Sequence, residues 1–211
     1  MRSRHWSIPL AFATALAVVI VVAALIAGGS GGGGSSVSTP TSSGGFDGAP
    51  FPPGLAAPGF ALTDQYGRRT SLGDYRGEVV MLAFLDSHCA PACVLIAQQI
   101  RGALDELQRA VPVLFISVDP ALDTPASAAR FLAAVSLGGR VRYLAAPRAA
   151  LPVLWRAYRI ATPVAAGRAA FERAASVFLI DASGNERVIY QQEQLTPESL
   201  AHDVRKLQDE G

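Results

Sequence analysis

The chain has 211 residues, 50% of them apolar and 17% charged, which fits one globular domain with a shorter apolar addition and excludes both a disordered acidic tail and a multidomain enzyme. Basic minus acidic residues is 18 − 17 = +1; Arg2 and Arg4 supply two of those cations, so residues 28–211 hold 16 basic against 17 acidic groups, a net of −1. No nucleic-acid partner is expected from that balance.

Residues 8–27 (IPLAFATALAVVIVVAALIA) carry no charge. As a helix they span about 30 Å, the thickness of a bilayer's hydrocarbon core. Arg2, Arg4 and His5 precede the run, and no basic residue follows until Arg68. The positive-inside bias therefore predicts a single-pass membrane anchor over 1–27 with the rest of the chain extracytoplasmic. A cleaved signal peptide ending near Gly29, which would give a secreted protein, is the alternative; both routes export the domain. No cysteine follows the run, so lipoprotein processing is not expected. Residues 28–56 form a Gly/Ser/Pro-rich stretch, with too little apolar surface over 28–48 to order itself, and are expected to act as a flexible tether.

A globular domain is expected over 57–211. Residues 60–63 and 69–71, separated by Asp64-Gln65-Tyr66-Gly67, suggest a small hairpin. Residues 79–85 (VVMLAFL) form an unbroken apolar run, as in a strand covered on both faces. Residues 93–109 place Ile96, Ile100, Leu104 and Leu107 on one helical stripe. A second buried strand follows at 113–118. Thr124-Pro125 then opens a helix to about residue 135, with Thr as cap and Pro at the first helical position. A strand at 141–144, a helix at 149–158 and a hairpin of 176–180 with 188–191 around Asp181-Ala182-Ser183-Gly184 complete the pattern. Thr196-Pro197 opens the last helix in the same way. The order predicts an α/β fold with a mixed central sheet flanked by helices.

The only two cysteines, Cys89 and Cys93, lie where a buried strand hands over to a helix start. Unpaired N–H groups there carry partial positive charge and favour a thiolate. Four residues apart, the sulfurs are within reach of a bond if the Cα atoms come within about 4.4–6.8 Å. Such a short bridge removes little chain entropy, which makes it a poor brace and favours redox or metal chemistry over a structural staple. Cys89, on the loop side, is expected to be the more exposed and the attacking sulfur.

The chain resembles the Sco/SenC proteins, exported thioredoxin-like domains implicated in copper handling for cytochrome oxidase assembly. The stretches that carry the resemblance are FALTDQYGRRTSLGDYRGEVVMLAFLDSHC (60–89), the C-x-x-x-C of Cys89 and Cys93, SVDPALDTP (117–125), LWRAYRI (154–160) and SVFLIDASGN (176–185). Together they cover nearly the whole exported domain. The resemblance implies a thioredoxin-like fold and maps the family's cysteines onto Cys89 and Cys93 and its aspartate onto Asp119. It also implies a copper-ligating histidine about eight residues before the Asp of LID, and that position holds Arg173. Arginine stays cationic and offers no lone pair to a metal. His88, beside Cys89, is the remaining candidate for a third ligand; its other reading is a group that tunes the thiolate or faces solvent. His202 is expected on the surface of the last helix. Two thiolates alone suit Cu(I), so no cofactor is required and Cu(I) is the ion expected if any binds.

Other families fit less well. Ordinary thioredoxins place a cis-proline where Ala175 stands, and their cysteines are separated by two residues. Peroxiredoxins carry a Thr three residues before the nucleophile, where this chain has Asp86. Asp123 is expected to serve the helix start, and Asp119 to face the cysteines. Trp155 and Tyr158 are expected in the core.

The expected function is a membrane-tethered thiol–disulfide protein in respiratory oxidase maturation; if it is an enzyme, it is a thiol–disulfide oxidoreductase. Its partners would be exported protein thiols or a copper-site protein such as an oxidase subunit. The alternatives are a Cu(I) chaperone using both thiolates, and a non-catalytic partner-binding domain whose disulfide is structural.

Overall fold

The computed structural model describes residues 45–89, 91–145, 149–162 and 167–211. The expected membrane anchor and most of the expected tether lie outside the described residues. Among the described residues no helix is long and apolar enough to cross a membrane.

Eight strands form one mixed sheet: β1 (Ala49–Pro50), β2 (Ala61–Asp64), β3 (Arg69–Ser71), β4 (Val80–Leu85), β5 (Val113–Ser117), β6 (Arg142–Ala145), β7 (Ser176–Ile180) and β8 (Glu186–Gln191), in the order β1-β8-β7-β4-β5-β6-β2-β3. β4 runs parallel to β5 and β5 to β6; the remaining pairs are antiparallel. The described helices are α1 (Ala92–Glu106), α2 (Pro125–Ala134), α3 (Leu151–Ala157), α4 (Arg168–Ala174) and α5 (Pro197–Glu210), with single 3-10 turns at Leu72–Tyr75 and Gln192–Gln194.

The apolar runs behave as their sequences require. Every residue of β4, β5 and β7 is buried, because these strands occupy the middle of the sheet with elements on both faces. Phe84 of β4 meets Tyr158 and Phe178, with ring centroids 5.1 and 6.0 Å away. α1 buries Cys93, Ile96, Ala97, Ile100 and Ala103, the stripe expected of an amphipathic helix, while Leu104 and Leu107 are partly buried against the core. It stops at Glu106, three residues short of expectation, with Leu107 already extended at φ −79°, ψ 130°. The helix starts at Pro125 and Pro197 match the expected caps: Thr124 Oγ1 accepts from Ser127 N–H and Thr196 Oγ1 from Ser199 N–H. In the β7–β8 turn, Gly184 adopts φ +80°, which a side chain would resist, and Asp181 Oδ1 accepts Asn185 N–H at 2.8 Å.

Ordered structure begins earlier than the tether expected over 28–56 allows. Phe46 is buried, β1 pairs with β8 through Ala49↔Ile189 and Pro50↔Val188, and Ala56 bridges Asn185. A two-residue strand ending in proline has no periodicity to read, and it is held by its neighbours instead. Arg187 and Lys206 place cations 5.5 and 5.2 Å from the Phe46 ring centroid. α4 was equally invisible: its seven residues offer one large apolar side chain, Phe171.

α1 is held at its far end by α5. A Cβ added to Gly102 would sit 2.8 Å from Pro197 Cγ and 2.9 Å from Pro197 Cβ. Gly102→Ala is therefore expected to force the two helices apart and to destabilise the domain by about 1–3 kcal/mol. Calorimetry should show the lower unfolding midpoint; an unchanged midpoint would mean that the contact yields freely.

Candidate functional site

Cys89 and Cys93 form a disulfide with a Cα–Cα distance of 5.5 Å. The pair sits at the intended junction. β4 ends at Leu85, a turn follows at Ser87 and His88, and Cys93 is the second residue of α1. Cys93 N–H points at Cys89 Sγ, 3.3 Å away, so an unpaired donor of the helix start faces the sulfur. Pro91 occupies the cap position, and its carbonyl accepts Leu95 N–H at 3.0 Å.

Exposure departs from expectation. Cys89 is 1% exposed and Cys93 0%, so neither sulfur is offered to solvent and Cys89 is not an open attacking group. The reason lies in the loop, which is held by Asp86 from within and by Asp123 from outside it. Cys89 N–H donates to the Asp86 carbonyl at 3.2 Å, and His88 N–H to Asp86 Oδ1 at 2.6 Å. From across the sheet, Asp123 Oδ1 accepts Ser87 N–H at 2.8 Å. The other oxygen, Oδ2, accepts the Ser117 hydroxyl at 2.6 Å and the Tyr143 hydroxyl at 2.9 Å. Tyr143 is well suited to remain a donor, because burial and then the negative charges of Asp123 and Asp86 push its phenol well above the ordinary range.

The two aspartates of the SVDP-x-x-DTP stretch depart from the roles expected of them, and Thr124 caps the helix start. Asp119, partly exposed, turns Oδ1 to Ala121 N–H at 3.2 Å and caps its own loop. Asp123, 4% exposed, is the residue that reaches the cysteine loop. Spacing alone cannot separate them, since both lie just after β5; only the turn, in which the Asp119 carbonyl accepts both Leu122 N–H and Asp123 N–H, swings Asp123 inward.

His88 is exposed, with Nδ1 3.1 Å from Ser87 Oγ. Two groups of ligating side chains stand within 4.8 Å of one another among the described residues: Asp86, His88 and Asp123, and Asp47, His202 and Asp203. Neither contains a cysteine. His202, expected to be an ordinary surface histidine, is half exposed but engaged: its Nδ1 lies 2.9 Å from Asp203 Oδ1 and 3.4 Å from Asp47 Oδ2.

Arg173 belongs to α4, which packs on α1. β7 pairs antiparallel with β4 through Val80↔Ile180 to Ala83↔Val177. Extending that register by two residues sets Ala175 level with Leu85, so the end of α4 reaches the edge of the sheet from which the cysteine loop departs. Ala175 itself is buried and extended, at φ −61°, ψ 130°. Trp155 and Tyr158 are structural, as expected: Trp155 Nε1 donates to the Ser117 carbonyl at 3.0 Å and the buried Tyr158 hydroxyl to the Pro58 carbonyl at 2.9 Å.

A mixed sheet that carries a cysteine pair between a central strand and the following helix defines a thioredoxin-like protein. The SCO1/SenC pattern matches residues 52–209, and the chain belongs to that family. Among solved structures it is similar to apo Sco1 from Thermus thermophilus (20% identity, 77% of this chain and 96% of that one, TM-score 0.63). It is also similar to BsSco, described as having a disulfide switch and as a member of the Sco family of cytochrome c oxidase assembly proteins (19%, 73% and 94%, 0.60). ScoI from Bradyrhizobium japonicum, described with copper bound, aligns at 24% identity over 72% of this chain and 99% of that one, with a TM-score of 0.55. A local match joins the chain to the peroxiredoxin Bcp of Escherichia coli at 39% identity over 71 residues; it spans 33% of this chain and 46% of that curated relative.

Proposed function

We propose that this protein is an exported, membrane-tethered thiol–disulfide redox protein that acts through Cys89 and Cys93 in the maturation of a respiratory oxidase. The observation that carries the reading is the joined pair at the start of α1, with Cys93 N–H directed at Cys89 Sγ. Once reduced, a sulfur in that place is favoured as thiolate by the helix start, the form that exchanges with disulfides. Membership of the family, and the oxidase-assembly role in the description of BsSco, support the oxidase as the destination. Its partners are exported protein thiols or the copper-site subunit of the oxidase. The uncharged run 8–27 with Arg2 and Arg4 before it supports the tether and an extracytoplasmic domain.

In cells lacking the wild-type copy, the Cys89→Ser, Cys93→Ser variant is expected to leave oxidase activity at the level of the deletion. Full activity would refute the redox reading and favour a partner-binding domain with an incidental brace.

Copper delivery is the second reading, and the copper described in the Bradyrhizobium japonicum structure favours it. Reduced Cys89 and Cys93 offer two soft donors, which fit Cu(I). A nitrogen-rich Cu(II) site does not fit, because Arg173 stands where the family's histidine would be. Arg173→His is expected to raise the Cu(II) affinity of the reduced protein by about a hundredfold, roughly one added ligand. Equal affinities in wild type and variant, by competition titration, would show that the end of α4 does not complete the site.

A further inference from the structure

We propose that Asp123 is the positioning residue of the redox site: its carboxylate clamps the cysteine loop in the geometry that closes the disulfide. The inference rests on the reading that Cys89 and Cys93 exchange.

The clamp joins three elements. Asp123 leaves β5 by a short turn, accepts Ser87 N–H with Oδ1, and is fixed through Oδ2 by Ser117 of β5 and Tyr143 of β6. Both oxygens are occupied, and the side chain is 4% exposed, so these bonds form away from competing water. Ser87 lies two residues before Cys89. Holding its N–H therefore fixes the path by which the first sulfur approaches the helix start, where Cys93 N–H meets it. Asp86 secures the same turn from within, by accepting His88 N–H. Asp123 adds the tie from the loop to β5 and β6.

The chemistry gives the clamp a measurable consequence. A dithiol reductant attacks one sulfur of the pair; the Cys89–Cys93 bond breaks and a mixed disulfide forms. The second reductant thiol then closes on the first, leaving two electrons and two protons on Cys89 and Cys93 and a disulfide in the reductant. In the oxidised protein the bond itself constrains the loop. In the reduced protein only the hydrogen bonds do. The clamp therefore keeps the free thiols close to the bonding geometry, and its removal loosens the reduced state more than the oxidised one. A role in folding alone would stabilise both states equally and leave their ratio untouched.

The test uses the full chain in detergent, equilibrated at fixed pH with mixtures of reduced and oxidised dithiothreitol and read by alkylation and mass shift. Asp123→Ala is expected to lower the disulfide-to-dithiol ratio about tenfold, the effect of one hydrogen bond to a charged group. Asp123→Asn, which keeps an acceptor for Ser87 N–H, should return to within about threefold of wild type. Tyr143→Phe removes one of the two donors that fix Oδ2 and preserves the packing of the ring; it should shift the ratio the same way by about threefold, and it serves if Asp123→Ala does not fold. A folded Asp123→Ala or Tyr143→Phe with the wild-type ratio would overturn the clamp, as would an Asn variant no better than Ala. Should the wild type fail to cycle with dithiothreitol, the redox reading itself falls and the clamp with it; a wild type that cycles beside unaltered variants removes the clamp alone.

Discussion

Replacing Cys89 and Cys93 together with serine is expected to abolish disulfide exchange while leaving the domain folded. The two effects separate because the bridge spans a sequence separation of four. Closing so short a loop removes about 2 kcal/mol of denatured-state entropy, less than the roughly 5–15 kcal/mol by which a typical domain is stable. The fold around the pair owes more to the six buried residues of β4 and to the face of α1 lined by Ile96, Ala97 and Ile100. Exchange with a model dithiol should fall by at least about a thousandfold, since serine offers no nucleophile or leaving group at neutral pH. Circular dichroism and a denaturant titration on the same sample check the fold. Collapse of the fold on double substitution would make the bridge a brace, contrary to the account.

The second large effect is expected far from the sulfurs, at Asp203. This carboxylate is fully buried on α5 and gathers three donors and a histidine nitrogen. Oδ1 accepts Asp47 N–H at 2.9 Å and lies 2.9 Å from His202 Nδ1, while Oδ2 accepts Gly48 N–H at 3.0 Å and the Tyr190 hydroxyl at 2.5 Å. Burial, followed by the bond to Asp203, holds the Tyr190 phenol well above its usual range, so the hydroxyl remains a donor. Asp203→Ala would strand the two backbone N–H groups and leave the phenol only the Ser199 carbonyl, 2.9 Å away, at a cost of about 3 kcal/mol. Because these bonds seat Phe46 to Pro50 on the domain, the loss should free the segment where the expected tether enters. A urea titration should show the lower midpoint, and hydrogen exchange the loss of protection at Asp47 and Gly48. A change below about 1 kcal/mol would mean that water replaces the carboxylate without penalty.

Reading the sequence worked where a residue's environment is set by its near neighbours. Seven consecutive apolar residues, a Thr-Pro pair before a helix and an Asp-x-x-Gly turn each describe their own surroundings, and β4, α2, α5 and the β7–β8 hairpin followed from them. The cysteine pair was legible for the same reason: strand end, loop and helix start are contiguous in the chain. What escaped was set by distant partners. β1 exists because β8 and Asp203 receive it, and nothing in Ala49-Pro50 announces a strand. Asp119 was expected to face the cysteines and Asp123 to serve the helix start; spacing places both after β5, and only the turn decides that Asp123 bonds Ser87 N–H while Asp119 stays with Ala121 N–H. Burial of Cys89 was missed likewise: Asp123 and Asp86 draw the loop down, and the proposed exchange would need a local opening of that loop.

Redox titration of the full-length protein is the most direct measurement of the central claim. Samples poised over a range of thiol–disulfide buffers would be trapped with a mass-shifting alkylating reagent and scored for Cys89 and Cys93. The account expects both cysteines to change together, reversibly, along a two-electron curve. Cysteines that stay locked at every accessible potential, or that react independently of each other, would contradict it.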